Sequence, residues 1–285
     1  MRDVLANAGL RYTADDSRLL GPLRARFVQL EADESTRRWI ERAERQPHGS
    51  FRMFLRRALD RWMSAYDANA WLDVHEMRVL GREQWSRVLG AERPGGRLLD
   101  VGAGDGRVTA ELAPLFDAVV ATETSKRMAG RLMARGFEVH RVDLSREALP
   151  DPRLFDGVSL LNVLDRTSFP LTLLGAALGR LEPGGLLLVA VPLPLRPHVH
   201  VGADTADPEE LLPRPAPGQA SSWEASASLL HEGLFAPAGL ELLALSRAPY
   251  LSRGGRARPV SALDGSIFAY RKPSDRAPPR AMVDP

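Results

Sequence analysis

Residues 98–109 constrain this chain more than any other segment. They read LLDVGAGDGRVT: an apolar strand, an acid at its end, three glycines alternating with other residues, then the start of a helix. Glycines at that spacing allow a sharp turn and let backbone approach a ligand with no side chain between. A strand that turns on glycine into a helix is the unit of a parallel α/β sheet, and the sequence downstream keeps the alternation. Short apolar runs at AVVATE, FEVHRVD, FDGVSLLNVL and GLLLVAVPL are interleaved with helical stretches such as SKRMAGRLMARG and residues 170–181. Residues 202–222, rich in Pro, Ala and acid, read as a mobile loop. A helix over residues 223–238, a strand LELLALSRAPYL and a last strand near 266–271 follow. The expectation is a Rossmann-like α/β fold, with a mostly parallel seven-stranded sheet whose late strands pair antiparallel.

The ligand of the glycine segment can be narrowed by its chemistry. Dinucleotide enzymes carry G-x-G-x-x-G, because a helix N-terminus must accept a pyrophosphate. Here Gly102, Gly104 and Gly106 form G-x-G-x-G behind an acid, Asp100. S-adenosylmethionine has no phosphate; it carries a sulfonium and an α-ammonium, for which a carboxylate is a favourable neighbour. The spacing therefore predicts that Asp100, Gly102, Ala103, Gly104 and Gly106 bind S-adenosylmethionine, with S-adenosylhomocysteine as product. Glu123 ends the second strand roughly 20 residues beyond the glycines, where a carboxylate can accept both ribose hydroxyls. Taken alone it would be read as a surface acid. Asp143, after the third strand, is a candidate for the adenine amino group and equally an ordinary turn acid. Hydride transfer to a nicotinamide is the competing enzyme class, and the glycine spacing disfavours it.

The rest of the chain sets limits. Leu19, Leu20, Leu23, Phe27 and Leu30, then Phe51, Phe54, Leu55, Leu59, Trp62 and Met63, recur at helical spacing, so residues 1–90 read as a helical N-terminal region. The break QPHGS splits it, with Ser50 a plausible N-cap. Its arginines read mostly as solvated helix faces, part of which could cover a substrate cleft. Residues 91–272 then form the Rossmann-like domain, and 273–285 a disordered tail. There is no cysteine, which excludes disulfides, thiolate metal sites and a cysteine nucleophile. A net charge of +2 with interleaved signs forces no nucleic-acid footprint. No apolar run approaches the ~20 residues of a membrane span, and no secretory signal opens the chain, so it reads as cytoplasmic, with no membrane partner. His198 and His200 form a His-x-His, but two histidines without a third ligand make a weak metal site; no metal is expected.

The runs RLLDVGAGDGRVT, ATETSKRM, LLNVLDR followed by PLTLL, LEPGGLLLVAVPLP and APYL together resemble the DREV family, over roughly residues 65–272. That resemblance implies a protein-histidine methyltransferase acting on the Nδ1 (N-pros) nitrogen in His-x-His motifs of a protein or peptide substrate. It implies that Asn162 lies near the cofactor, that Asp165 contacts the substrate histidine and that Tyr250 lines the acceptor pocket. The residues also have bland readings. Asn162 would be a strand-end turn residue, Asp165 a helix cap or the ion-pair partner of Arg166, and Tyr250 a packed aromatic. The chemistry agrees at one point. A carboxylate that accepts Nε2–H of a neutral imidazole fixes the tautomer and leaves Nδ1 free to attack. The runner-up is a small-molecule methyltransferase on the same fold, and a third reading is a cofactor-binding scaffold.

Overall fold

The computed structural model describes residues 10–59, 62–90, 93–201, 204–215 and 221–274. Ten strands are present among them: β1 (Met77–Arg78), β2 (Arg97–Val101), β3 (Ala118–Thr122), β4 (Glu138–His140), β5 (Phe155–Leu161), β6 (Leu181–Pro192), β7 (Val199–Val201), β8 (Asp204–Ala206), β9 (Glu241–Arg253) and β10 (Val260–Arg271). The helices are α1 (Gly21–Ala25), α2 (Glu34–Arg45), α3 (Ser50–Leu59), α4 (Ala65–Leu72), α5 (Arg82–Val88), α6 (Arg107–Leu112), α7 (Lys126–Ala134), α8 (Pro170–Gly179) and α9 (Trp223–Leu230), the last continued by a π turn, His231–Phe235.

Eight strands form one sheet in the order β1-β9-β10-β6-β5-β2-β3-β4. The pairs from β6 through β4 are all parallel, while β10 runs antiparallel to both β6 and β9. The strands in the middle are buried on both faces, and their alternation sorts the core into two layers. Leu99, Leu187, Val189 and Phe268 face the layer closed by Leu173 and Leu174 of α8 and by Trp223 and Leu230 of α9. Their neighbours Leu98, Leu188, Ala190 and Ile267 face the other, closed by Trp85 and Val88 of α5 and Leu112 of α6. Side chains one residue apart point to opposite faces, so each central strand serves two helix layers at once.

The mixed sheet is as expected, but it has eight strands rather than seven. The extra one, β1, comes from the segment read as wholly helical and pairs antiparallel with the outer edge of β9. Two residues are too few to show a period, and an unpaired strand edge accepts them. Other N-terminal backbone is also bonded to β9: Val28 N–H donates to Leu245 O (2.8 Å) and Leu245 N–H to Arg26 O (2.9 Å). β10 begins six residues before its expected start, at Val260. α3 begins with Ser50 as its first helical residue.

Within the expected loop at 202–222, Asp204–Ala206 pairs with Val199–Val201 as a short hairpin. Glu210 then caps α8, its Oε2 accepting from the N–H groups of Leu171 (2.7 Å) and Thr172 (2.8 Å). Residues 202–203 and 216–220 of that loop, and residues 275–285 of the expected tail, lie outside the described residues.

Candidate active site

A cavity of about 590 Å³ opens at the carboxyl ends of β2, β3 and β5, where ligands bind in open α/β sheets. Its floor is the glycine turn. The three glycines all have positive φ but serve different ends. A Cβ on Gly102 would meet Val163 Cγ2 at 2.8 Å and one on Gly106 would meet Leu132 Cδ2 at 2.7 Å, so both are needed for close packing. Gly104, at φ +60°, has nothing within 4 Å of where its Cβ would stand, and it lines the cavity. Ala103 N–H donates to Thr122 O (3.0 Å), which ties the turn to β3.

Two carboxylates flank the turn. Asp100 is buried at the end of β2, its oxygens accepting from Thr109 Oγ1 (2.6 Å) and Ser159 Oγ (2.7 Å). Burial pushes its pKa up to about 6 against the opposing effect of those two hydroxyls. Glu123, also buried, accepts from Gly104 N–H (2.9 Å) and Ser125 N–H (2.8 Å), and burial raises its pKa as well. Both line the cavity, and neither has a cationic partner among the described hydrogen bonds and ion pairs. Asp143 lines it too, with Oδ1 accepting from Ser145 N–H (3.0 Å) and Ser145 Oγ (2.6 Å) and Oδ2 3.7 Å from Arg146.

The opposite wall comes from the N-terminal region, at residues 64–77. Ser64 caps α4 by accepting from Asp67 N–H (3.1 Å), and Asp67 in turn accepts from Ser125 Oγ (2.5 Å), the cap of α7. Asp73, in the left-handed conformation that ends α4, pairs with both Arg107 (2.7 Å) and Arg131 (2.6 Å). Partial burial raises its pKa, but the two guanidiniums outweigh that and hold it at about 2. The sequence reading allowed for N-terminal cover but named none of these residues. Neither spacing nor composition marks them, because their partners lie in α6 and α7.

The turn after β5 supplies the remaining side. Asn162 takes a left-handed conformation (φ 57°), its N–H bonded to Ala190 O (2.8 Å), and it lines the cavity with Val163, Arg166 and Thr167. Asp165 does not line it. The residue is 4% exposed, with Oδ2 3.6 Å from Arg166 Nε and Oδ1 buried without a hydrogen-bond partner; burial raises its pKa, with Arg166 opposing. Its backbone O accepts from His198 N–H (3.0 Å), and His198 Nδ1 lies 3.1 Å from Arg196 O. Tyr250 lines the cavity, its hydroxyl donating to Met77 Sδ and burial pushing its pKa up to about 12. Arg166, missed by the sequence reading except as a partner of Asp165, bridges these groups. Its guanidinium carbon lies 5.6 Å from the centre of the Tyr250 ring, and it hydrogen-bonds Tyr66.

The whole sequence from residue 11 to 272 matches the model of one family, DREV methyltransferase. The chain belongs to that family. The ubiquinone biosynthesis O-methyltransferase of Ruegeria pomeroyi is 34% identical over 122 residues, covering 40% of this chain and 48% of that protein, so the chain spans about half the length of this curated relative. Among solved structures, the N-methyltransferase NodS of Bradyrhizobium japonicum with S-adenosylhomocysteine is similar at TM-score 0.39 and 18% identity, over 62% of this chain and 78% of that one. TehB of Haemophilus influenzae is similar at TM-score 0.45 and 12% identity, over 67% and 61% of the two chains.

As a DREV methyltransferase the chain takes S-adenosylmethionine as cofactor. The cavity fits that group. Open space above Gly104 leaves room for an amino-acid tail, and two buried carboxylates short of positive charge suit a ligand bearing a sulfonium and an ammonium. Asp100 should carry a measurable trade-off. Its pKa is raised on folding, so its ionisation destabilises the fold progressively from about pH 4 to about pH 6, by roughly 3 kcal/mol for two units. Asp100→Asn keeps the shape without the charge. Differential scanning at pH 7.5 should find it a few degrees more stable than the parent, while calorimetry finds cofactor affinity about tenfold lower. A lower melting temperature with unchanged affinity would contradict this role.

Proposed function

We propose that this DREV methyltransferase transfers the methyl group of S-adenosylmethionine to Nδ1 of a histidine in a His-x-His segment of a protein or peptide. The observation that carries the reading is Asp165 Oδ1, a buried carboxylate oxygen without a hydrogen-bond partner in the turn between Asn162 and Arg166. A buried acceptor left unpaired costs about 1–3 kcal/mol, more when charged, unless a ligand supplies the donor. A neutral imidazole supplies one N–H and keeps its other nitrogen free.

In this reading the bound cofactor supplies an electrophilic methyl carbon on sulfur. Glu123 would accept the ribose hydroxyls, Asp100 would stand near the positive tail, Asp143 would meet the adenine amino group and Asn162 would border the cofactor. Asp165 accepts Nε2–H, which fixes the tautomer, and its negative charge meets the positive charge that develops on the ring. Most of the acceleration would then come from the orientation in which these residues hold the acceptor nitrogen. Tyr250 forms a wall of the acceptor pocket. Because Asp165 does not line the cavity, the acceptor has to displace a side chain to reach it. Arg166, which lines the cavity and whose Nε also lacks a hydrogen-bond partner, stands beside it.

A small-molecule acceptor is the competing reading, supported by the curated O-methyltransferase relative. Incubation with labelled cofactor and a panel of His-x-His peptides, followed by fragmentation, separates the two. The expected result is one methyl on Nδ1. Turnover should also fall below about pH 6.5, where an ordinary imidazole protonates and loses its lone pair. Protonation of Asp165, whose pKa burial raises, acts in the same direction. No peptide labelling at any pH, or a rate that holds below pH 5.5, would overturn the histidine reading.

A further inference from the structure

Helix α3 contributes nothing to the core. None of its residues is buried, although its apolar side chains fall on one face at i, i+3, i+4 and i+7: Phe51, Phe54, Leu55 and Ala58. Phe51 is 74% exposed, Phe54 67%, and Trp62, in a turn beyond the end of the helix, 83%. A helix of ten residues is marginal in water by itself, and most helical stability comes from covering an apolar face. Leu55 is half-buried, but Phe51 and Phe54 of this face are left uncovered by the rest of the described chain.

Its surroundings say what fits it. From Arg45 to Leu59 there are four arginines and no acid, and Arg52 and Arg57, off the apolar face, are exposed. α3 does not line the cofactor cavity, and its aromatic rings stand on an open surface. The helix is also held from behind: His48 N–H donates to Gly254 O (3.0 Å) just before its start, and Arg56 Nε donates to Asn69 Oδ1 (3.0 Å) of α4. Aromatic rings on one face, arginines beside them and low net hydrophobicity are the attributes of a helix that lies in a bilayer interface. We propose that α3 docks this chain on an anionic membrane surface, with Phe51, Phe54 and Trp62 in the headgroup region and Arg52 and Arg57 on the lipid phosphates. Such docking needs no membrane span. It would bring the bilayer next to α4, which walls the cofactor cavity.

The test is co-sedimentation of the full chain with phosphatidylcholine vesicles, with and without phosphatidylglycerol. The expected result is binding that requires the anionic lipid and weakens with salt. A Phe51→Ser/Phe54→Ser/Trp62→Ser variant should bind at least about tenfold more weakly, with cofactor affinity unchanged. Arg52→Glu/Arg57→Glu, which leaves the apolar face intact, should also weaken binding, by about fivefold per arginine. Failure of the parent chain to bind anionic vesicles overturns the proposal, and so does parent-like binding by either variant. If the parent instead dimerises with concentration, does not bind vesicles, and becomes monomeric in the triple variant, the face belongs to a second copy and the proposal is wrong.

Discussion

Gly104→Arg should abolish cofactor binding while leaving the fold intact. The position has open space around it, so the new side chain enters the cavity instead of colliding with the core. A non-glycine residue at φ +60° costs roughly 1–2 kcal/mol of strain, which a domain of this size tolerates. The guanidinium would stand beside Asp100 and Glu123 and satisfy the negative charges that the cofactor's cations are expected to meet. Space and charge are thus lost together. Calorimetry should show affinity for S-adenosylhomocysteine reduced by at least about 100-fold, equivalent to about 2.7 kcal/mol. Gly104→Ala separates strain from occupancy, since a methyl group there meets nothing and should weaken binding far less. Parent-like affinity in the arginine variant would show that the cofactor does not use this turn.

Asp165→Asn should keep the peptide and lose the rate. The amide oxygen still accepts a hydrogen bond from the acceptor nitrogen, so geometry survives, but the negative charge that favours the cationic transition state is gone. A fall in kcat of about 100-fold or more, with KM for a His-x-His peptide changed only a few-fold, is the expected pattern. Asp165→Ala should lose both, kcat more than affinity. The asparagine variant leaves the Arg166 guanidinium, 3.6 Å from Oδ2 in the parent, without its carboxylate, so a loss of stability is expected beside the loss of rate. Circular dichroism and cofactor binding check that directly. Equal turnover by the parent and both variants would return Asp165 to a structural ion pair with Arg166.

The parts of this molecule that were legible in the sequence are those whose cause is local. The turn at residues 102–106 announces itself because the needed residue type and its spacing lie within one short stretch. Glu123 follows from strand length and helix length alone. The parallel strands show because burial on both faces makes them continuous apolar runs. What was hidden depends on distant partners. β1 is two residues long and exists only through its pairing with β9. Asp67 and Asp73 look like ordinary helix acids until α7 and α6 present Ser125, Arg131 and Arg107. Arg166 sits beside Asp165 in the chain, yet its place between Tyr66 and Tyr250 joins α4 to β9. The cap that Glu210 places on α8 spans 39 residues.

The pairing of β1 with β9 also has a consequence for how the molecule is assembled. The Tyr250 hydroxyl reaches Met77 across 173 residues of chain, and among the described residues β1 has no strand partner except β9. Contacts so distant in sequence repay their loop-closure entropy only after the intervening sheet has formed. A chain synthesised from its N-terminus carries β1 unpaired past the glycine turn, past β5 and past α8, until β9 exists to receive it. The cofactor cleft therefore closes in two stages: Asp67 and Asp73 can meet α7 and α6 early, while the part of the far wall at Met77 waits for β9.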